Sequence, residues 1–263
     1  MGMTKEYVFH DWGEFKSLFA ERLQQHTDNP AIPLSRGKFL FRGMEDSDWY
    51  LETSFSRKFG RLSPNSTTKT LLDNFKKACE SNKDLEEIRS DNQEMLALGQ
   101  HYGLTSHLLD WSESPYIAAF FAFHFALANL AKTPRWEIIT EKKNIAIWAL
   151  DSLETDFWSI ENKPGKINII RAKPIYNKRL DRQFGWFTVQ SDIQVPLDQY
   201  IQNIESEKIA LWKFLIPLRE VVNAMADLSL MGIDANQMYG GIEGSALGAL
   251  DDTILGLLIS NPI

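Results

Sequence analysis

Three polar clusters interrupt apolar stretches of this chain, and their residue types are those that bind anions or move protons. The first is Phe39-Leu40-Phe41-Arg42-Gly43. An arginine closing an aromatic strand offers a planar fork that grips a carboxylate or phosphate through two parallel hydrogen bonds. The glycine after it leaves the backbone free to bend. A structural ion pair to Asp110 or Glu45 is the plain alternative for Arg42. The second cluster runs Gln100-His101-Tyr102-Gly103-Leu104-Thr105-Ser106-His107-Leu108-Leu109-Asp110-Trp111-Ser112. A turn at Gly103 would gather its side chains. Asp110 would then either cap the helix that follows or, buried, orient Arg42 or a histidine at a ligand pocket. The third is Arg182-Gln183-Phe184-Gly185-Trp186-Phe187-Thr188-Val189. Gln183 beside Gly185 on a strand puts an amide donor and acceptor at a pocket rim, or else the pair marks a bulge that permits close packing.

Other chemistries lack their signatures. There is no G-x-x-x-x-G-K-[ST] loop, no G-x-G-x-x-G opening a helix, no H-E-x-x-H and no G-x-S-x-G elbow. With one cysteine, Cys79, neither a disulfide framework nor a thiolate zinc site can form within the chain. The five histidines, His10, His26, His101, His107 and His124, have no ligand-like spacing, so no metal is expected. The chain has 263 residues, 44% hydrophobic and 24% charged, enough to bury a sizeable core. Its net charge of −7 argues against passive binding to nucleic-acid phosphates, though not against a local basic cleft. No apolar run approaches the ~18 residues that cross a bilayer, so a cytoplasmic protein without membrane contact is expected.

The elements that must position these clusters follow from periodicity. Residues 10–26 read as an amphipathic helix capped by Asp11, and 68–82 and 85–99 as two more. Residues 112–132 are apolar on nearly every side, with Ser112 as N-cap, and predict a central buried helix whose His124 is structural. Residues 38–42, 144–150, 167–172, 185–190 and 209–217 read as strands, and 218–226 and 245–257 as final helices. Without βαβ alternation this is an α+β fold, expected as a single domain. Its helices lie mainly in the N-terminal half, around a mostly antiparallel sheet formed largely by the C-terminal half.

Taken in order, the motifs resemble the FRG-domain family of bacterial proteins. They are Phe41-Arg42-Gly43, Gln100-His101-Tyr102-Gly103-Leu104, Leu108-Leu109-Asp110-Trp111, Ser114-Pro115, Phe121-Ala122 and Gln183-x-Gly185-x-Phe187-Thr188. The resemblance spans roughly residues 36 to 240 and implies an FRG-type α+β domain over 36–263 behind a helical extension at 1–35. Where the family usually reads Pro-Thr-Arg before Leu-Leu-Asp, this chain has Thr105-Ser106-His107. A histidine there is charged only below about 6.5 and would retune a phosphate contact. The arrangement looks like a distant relative of ADP-ribosyltransferases, which implies NAD or another nucleotide as ligand. On that likeness Arg42, His101, Asp110 and Gln183 are the catalytic candidates, and Tyr102, Thr105 and His107 the ligand-binding ones. Gln183 would stand where such enzymes carry a glutamate, for which Glu205 and Glu243 are substitutes outside any recognisable motif. The implied protein is a toxin or phage-defence effector with a protein or nucleic-acid acceptor. The alternative is a non-enzymatic module that binds a ligand or a protein, its polar cluster a structural network.

Overall fold

A helix that is apolar on every side needs cover on every side, and the fold is arranged to supply it. The computed structural model describes residues 3–27, 39–60, 64–130, 143–153, 157–159, 167–171, 173, 178–190 and 195–260. In chain order the elements are β1 (Met3–Val8), α1 (Trp12–Thr27), β2 (Phe39–Met44), α2 (Ser54–Phe59), α3 (Pro64–Ala78), α4 (Asn92–His101), β3 (Leu108–Ser112), α5 (Pro115–Leu130), β4 (Asn144–Asp151) and β5 (Trp158–Ser159). There follow β6 (Ile167–Ile170), α6 (Lys178–Arg182), β7 (Gly185–Val189), α7 (Leu197–Gln202), β8 (Ile209–Pro217), α8 (Val221–Leu230), α9 (Ala235–Tyr239) and α10 (Gly241–Ser260). The class is α+β with mostly antiparallel strand pairs, as expected. Two compact units divide the chain, one holding Tyr50–Trp111 and Leu153–Lys208, the other Thr4–Trp49, Ser112–Ser152 and Ile209–Ile263.

In the second of these units the strand order is β1-β8-β4-β2. β2 and β4 are antiparallel with Phe41 opposite Ala149 and Arg42 opposite Trp148, and β4 and β8 are antiparallel with Trp148 opposite Lys213. One face of this sheet carries Phe41, Ile147, Ala149, Phe214 and Ile216, and α5 lies on it. The contact is closest at Gly43. A Cβ there would stand 1.8 Å from the carbonyl oxygen of Ala118 and 2.8 Å from the amide nitrogen of Ala122. Only glycine admits that approach of helix to strand. α1 is fastened to α8 by Asp227, which accepts from the Trp12 indole at 2.7 Å and from Lys16 at 2.5 Å. His124 of α5 is buried; its Nδ1 meets Asp251 of α10 at 2.7 Å and its ring stacks on Phe120.

In the first unit the strand order is β3-β7-β6-β5. α4 packs on it through Ala97, against Leu108, Leu180 and Phe187, and α3 packs on α4 through Leu72, Met95 and Leu98.

Several expected boundaries move. The helix expected over 85–99 begins only at Asn92, because Asp91 accepts from the amides of Gln93 and Glu94 at 3.0 and 3.2 Å and caps it there. Residues 108–112, expected as loop and helix start, are β3. The cap of α5 is therefore Ser114, whose Oγ accepts from Ile117 at 3.3 Å, with Ser112 accepting from Ser114 just outside. The first 35 residues give not only the expected helix but also a strand, β1.

Replacing Gly43 by Ala should lower stability by about 1–3 kcal/mol or more, since the obstruction is helix backbone and not a movable side chain. Urea unfolding of Gly43→Ala beside wild type checks this, and an unchanged midpoint would refute so close an approach.

Candidate functional site

The polar cluster of residues 100–112 is shaped by the end of α4. Gly103 adopts φ +87°, its amide donates to Gln100 at 3.0 Å, and the Leu104 amide donates to Gly99 at 2.8 Å. This paired closure is the Schellman arrangement, which stops a helix and reverses the chain. The reversal brings Asp110 of β3 back over the last turn of α4. There Asp110 accepts from Gln100 Nε2 at 2.6 Å while Gln100 Oε1 accepts from the Ser106 hydroxyl. Ser106, 1% exposed, also accepts from the Leu108 amide at 3.0 Å, and its own amide donates to Ser54 Oγ at 3.1 Å. Gln100 is thus the partner that the turn gives to Asp110, and Ser106 in turn holds Gln100. Both lay in the quoted motif, but neither is a residue type that proton chemistry singles out.

The remaining candidates of this unit separate by depth. His107 is 2% exposed, its ring tilted against Phe55 with centroids 3.8 Å apart, and it meets the Thr68 hydroxyl through Nε2. Thr105 is half-buried. His101 and Tyr102 meet edge to face at 4.8 Å, with Tyr102 74% exposed. Burial, and then the nearby Arg179 guanidinium, hold the His101 imidazole below its ordinary pKa. Gln183 is not on a strand: it follows α6 directly, its amide donating to Arg179 at 2.9 Å, and β7 starts at Gly185. Phe184 between them takes φ +47°, which turns the chain sharply from helix into strand. Glu205 and Glu243 are exposed, one in a turn and one in the first turn of α10, so neither is a late-strand carboxylate. Further along β7, Thr188 accepts from the Trp111 indole at 3.0 Å, and Gln190, 2% exposed, has a buried Nε2 with no acceptor among the described residues.

Arg42 belongs to the second unit. Strand alternation sends Phe41 and Gly43 toward α5 and Arg42 to the opposite sheet face, where its cross-strand neighbour is Trp148. Trp148 is 3% exposed, and the Lys213 ammonium lies 5.1 Å from its ring centroid. Trp148 and Lys213, in segments read only as strands, are the residues that sequence reasoning missed here. Register alone discloses them. Among the described residues no group of three or more His, Cys, Asp or Glu side chains could hold a metal ion, and no helix is long and apolar enough to cross a membrane.

Residues 37–129 match the family model of the FRG domain. Over that segment the chain is similar to the FRG domain. The matched residues run from just before β2 to the end of α5, and so contain the Gly43 contact, Arg42 and the whole Gln100–Trp111 turn. No match was found among curated proteins or among solved structures.

Two outcomes test this geometry. Ser106→Ala in the FRG segment should cost about 1–3 kcal/mol, because it leaves the buried Leu108 amide and Gln100 Oε1 without partners; chemical denaturation reads it. The lowered pKa of His101 means that the unfolded chain binds a proton more readily than the folded one. Stability should therefore rise with pH between the lowered folded value and about 6.5, and be reduced below that window. A proton NMR titration should find the His101 midpoint below its ordinary value, moving up in Arg179→Gln.

Proposed function

We propose that this protein binds a nucleotide-type ligand, NAD or ADP-ribose, through a polar pocket centred on Arg42, as an ADP-ribosyltransferase-like effector. The observation that carries the reading is the two-sidedness of β2. Gly43 is committed to α5, and Arg42 is thereby turned to the other face, in line with an aromatic ring and a second cation. A guanidinium held on a central strand can take a phosphate by bidentate hydrogen bonds, and a neighbouring ammonium adds charge. The fit to such a ligand rests on a buried donor, Trp148 Nε1, that has no acceptor among the described residues. Native proteins seldom leave such groups unmade, and a ligand's oxygens are suitable partners.

A second reading is favoured by a different observation. Gln100 links Asp110 to Ser106, and among the described residues no late strand carries a glutamate, as a binding module without transfer chemistry would have it. In that reading the acceptor, protein or nucleic acid, falls away and only recognition remains.

Thermal-shift measurements with NAD, ADP-ribose and adenosine should give a dose-dependent rise with the first two, since a ligand that binds only the folded state stabilises it by mass action. Arg42→Lys should abolish that rise while leaving the unliganded midpoint close to wild type, because lysine keeps the charge and loses the fork. Release of nicotinamide from NAD separates transferase from binding module. Flat curves for the wild-type protein at millimolar nucleotide would sink both readings.

A further inference from the structure

We infer that the row Arg42–Trp148–Lys213 is a diphosphate site, in which the Trp148 indole N–H and the Lys213 ammonium hold oxyanion groups alongside Arg42. The inference rests on the Arg42-centred reading above and adds to it two ligand-binding residues and the chemical class of group that they take.

Register puts the three side chains together. Arg42 is directly opposite Trp148, and Trp148 directly opposite Lys213, in antiparallel pairs, so all three project from the same sheet face. The face is the one that α5 does not cover, for Phe41, Ile147 and Phe214, one position removed on each strand, belong to the core beneath α5. On β1, Tyr7 stacks on Phe214 and so faces that core too, which leaves Glu6 on the Lys213 side.

The indole supplies the independent observation. Trp12, Trp111 and Trp148 are each 3% exposed. Trp12 donates to Asp227 at 2.7 Å and Trp111 to Thr188 at 3.0 Å, but Trp148 Nε1 has no acceptor among the described residues. An indole nitrogen only donates, so the group it lacks is an acceptor, which excludes a metal ion or ammonium as the occupant. The flanking side chains decide its charge. Lys213, its side chain 17% exposed, has Glu6 Oε2 for a counter-charge at 3.8 Å, beyond hydrogen-bond range and on a side chain 52% exposed. An acceptor between a guanidinium and an ammonium is best an anion. Arg42 and Lys213 stand on strands two spacings apart, roughly 10 Å, which gives each cation its own phosphate in a diphosphate, with the indole N–H between them.

The test follows the indole resonance of Trp148 by 15N NMR, assigned from Trp148→Phe, during titration with inorganic pyrophosphate, ADP-ribose and adenosine. Pyrophosphate and ADP-ribose should both shift that resonance, and adenosine should not. Lys213→Gln should weaken pyrophosphate binding about tenfold or more, and Glu6→Gln should strengthen it. If ADP-ribose binds in an Arg42-dependent way while the Trp148 resonance stays fixed and Lys213→Gln binds as wild type does, the diphosphate site is overturned and the nucleotide reading stands. If pyrophosphate moves the resonance but neither NAD nor ADP-ribose binds, the site stands and the nucleotide reading falls. Should Trp148→Phe fail to fold, assignment through backbone resonances of the wild-type protein lets the shift decide alone.

Discussion

The backbone of α5 lies against the backbone of β2 with no side chain between them, and the second unit is organised by that contact. A carbonyl oxygen of Ala118 occupies the space that any larger residue at position 43 would need. Interiors are packed like organic crystals, so a displacement at this point would have to be shared by every neighbour in the layer. Phe120, Phe123 and Leu127 reach the aromatic core of Phe15 and Phe214 only because the helix sits this low. Packing on one face of β2 fixes the orientation of the residue on the other. Arg42 owes its position to its neighbour Gly43, and Phe41-Arg42-Gly43 reads as one mechanical unit.

Two places in the fold treat their buried polar groups differently. Around the Gly103 turn they are closed upon one another: a serine hydroxyl serves an amide and a glutamine, and the glutamine serves an aspartate. Such networks rigidify a segment and specify its geometry when every member is satisfied. On the sheet face beyond α5 the indole of Trp148 has no acceptor among the described residues, although two cations flank it in register.

The sequence disclosed elements in proportion to how much of their burial is local. β8 was legible to the residue, because Ile209–Pro217 is a mostly apolar run with isoleucine and aromatic residues, closed by proline. α5 was legible from composition alone. β3 was not: five residues with an exposed aspartate at the centre have too little pattern, and only pairing partners distant in sequence make Leu108–Ser112 a strand. The late start of α4 was readable in principle from Asp91 followed by Glu94, a capping spacing outweighed by the apolar positions before it. Arg42 was found because an arginine between apolar residues is conspicuous. Trp148 escaped because a tryptophan in an apolar strand looks like core; its meaning lies in the residues opposite it, and register is not written in any local window.

The bond between His124 and Asp251 joins residues 127 positions apart, and the one between Trp12 and Asp227 spans 215. During synthesis α5 therefore emerges with its polar centre unanswered and its apolar sides uncovered, long before β8, α8 and α10 exist. Contacts of such sequence separation form late and expose sticky surface in the interval. The second unit can close only after its last helix has left the ribosome, so this chain must be protected while it is being made, and a nascent chain stalled before residue 251 should be a client for chaperones rather than a partly working protein.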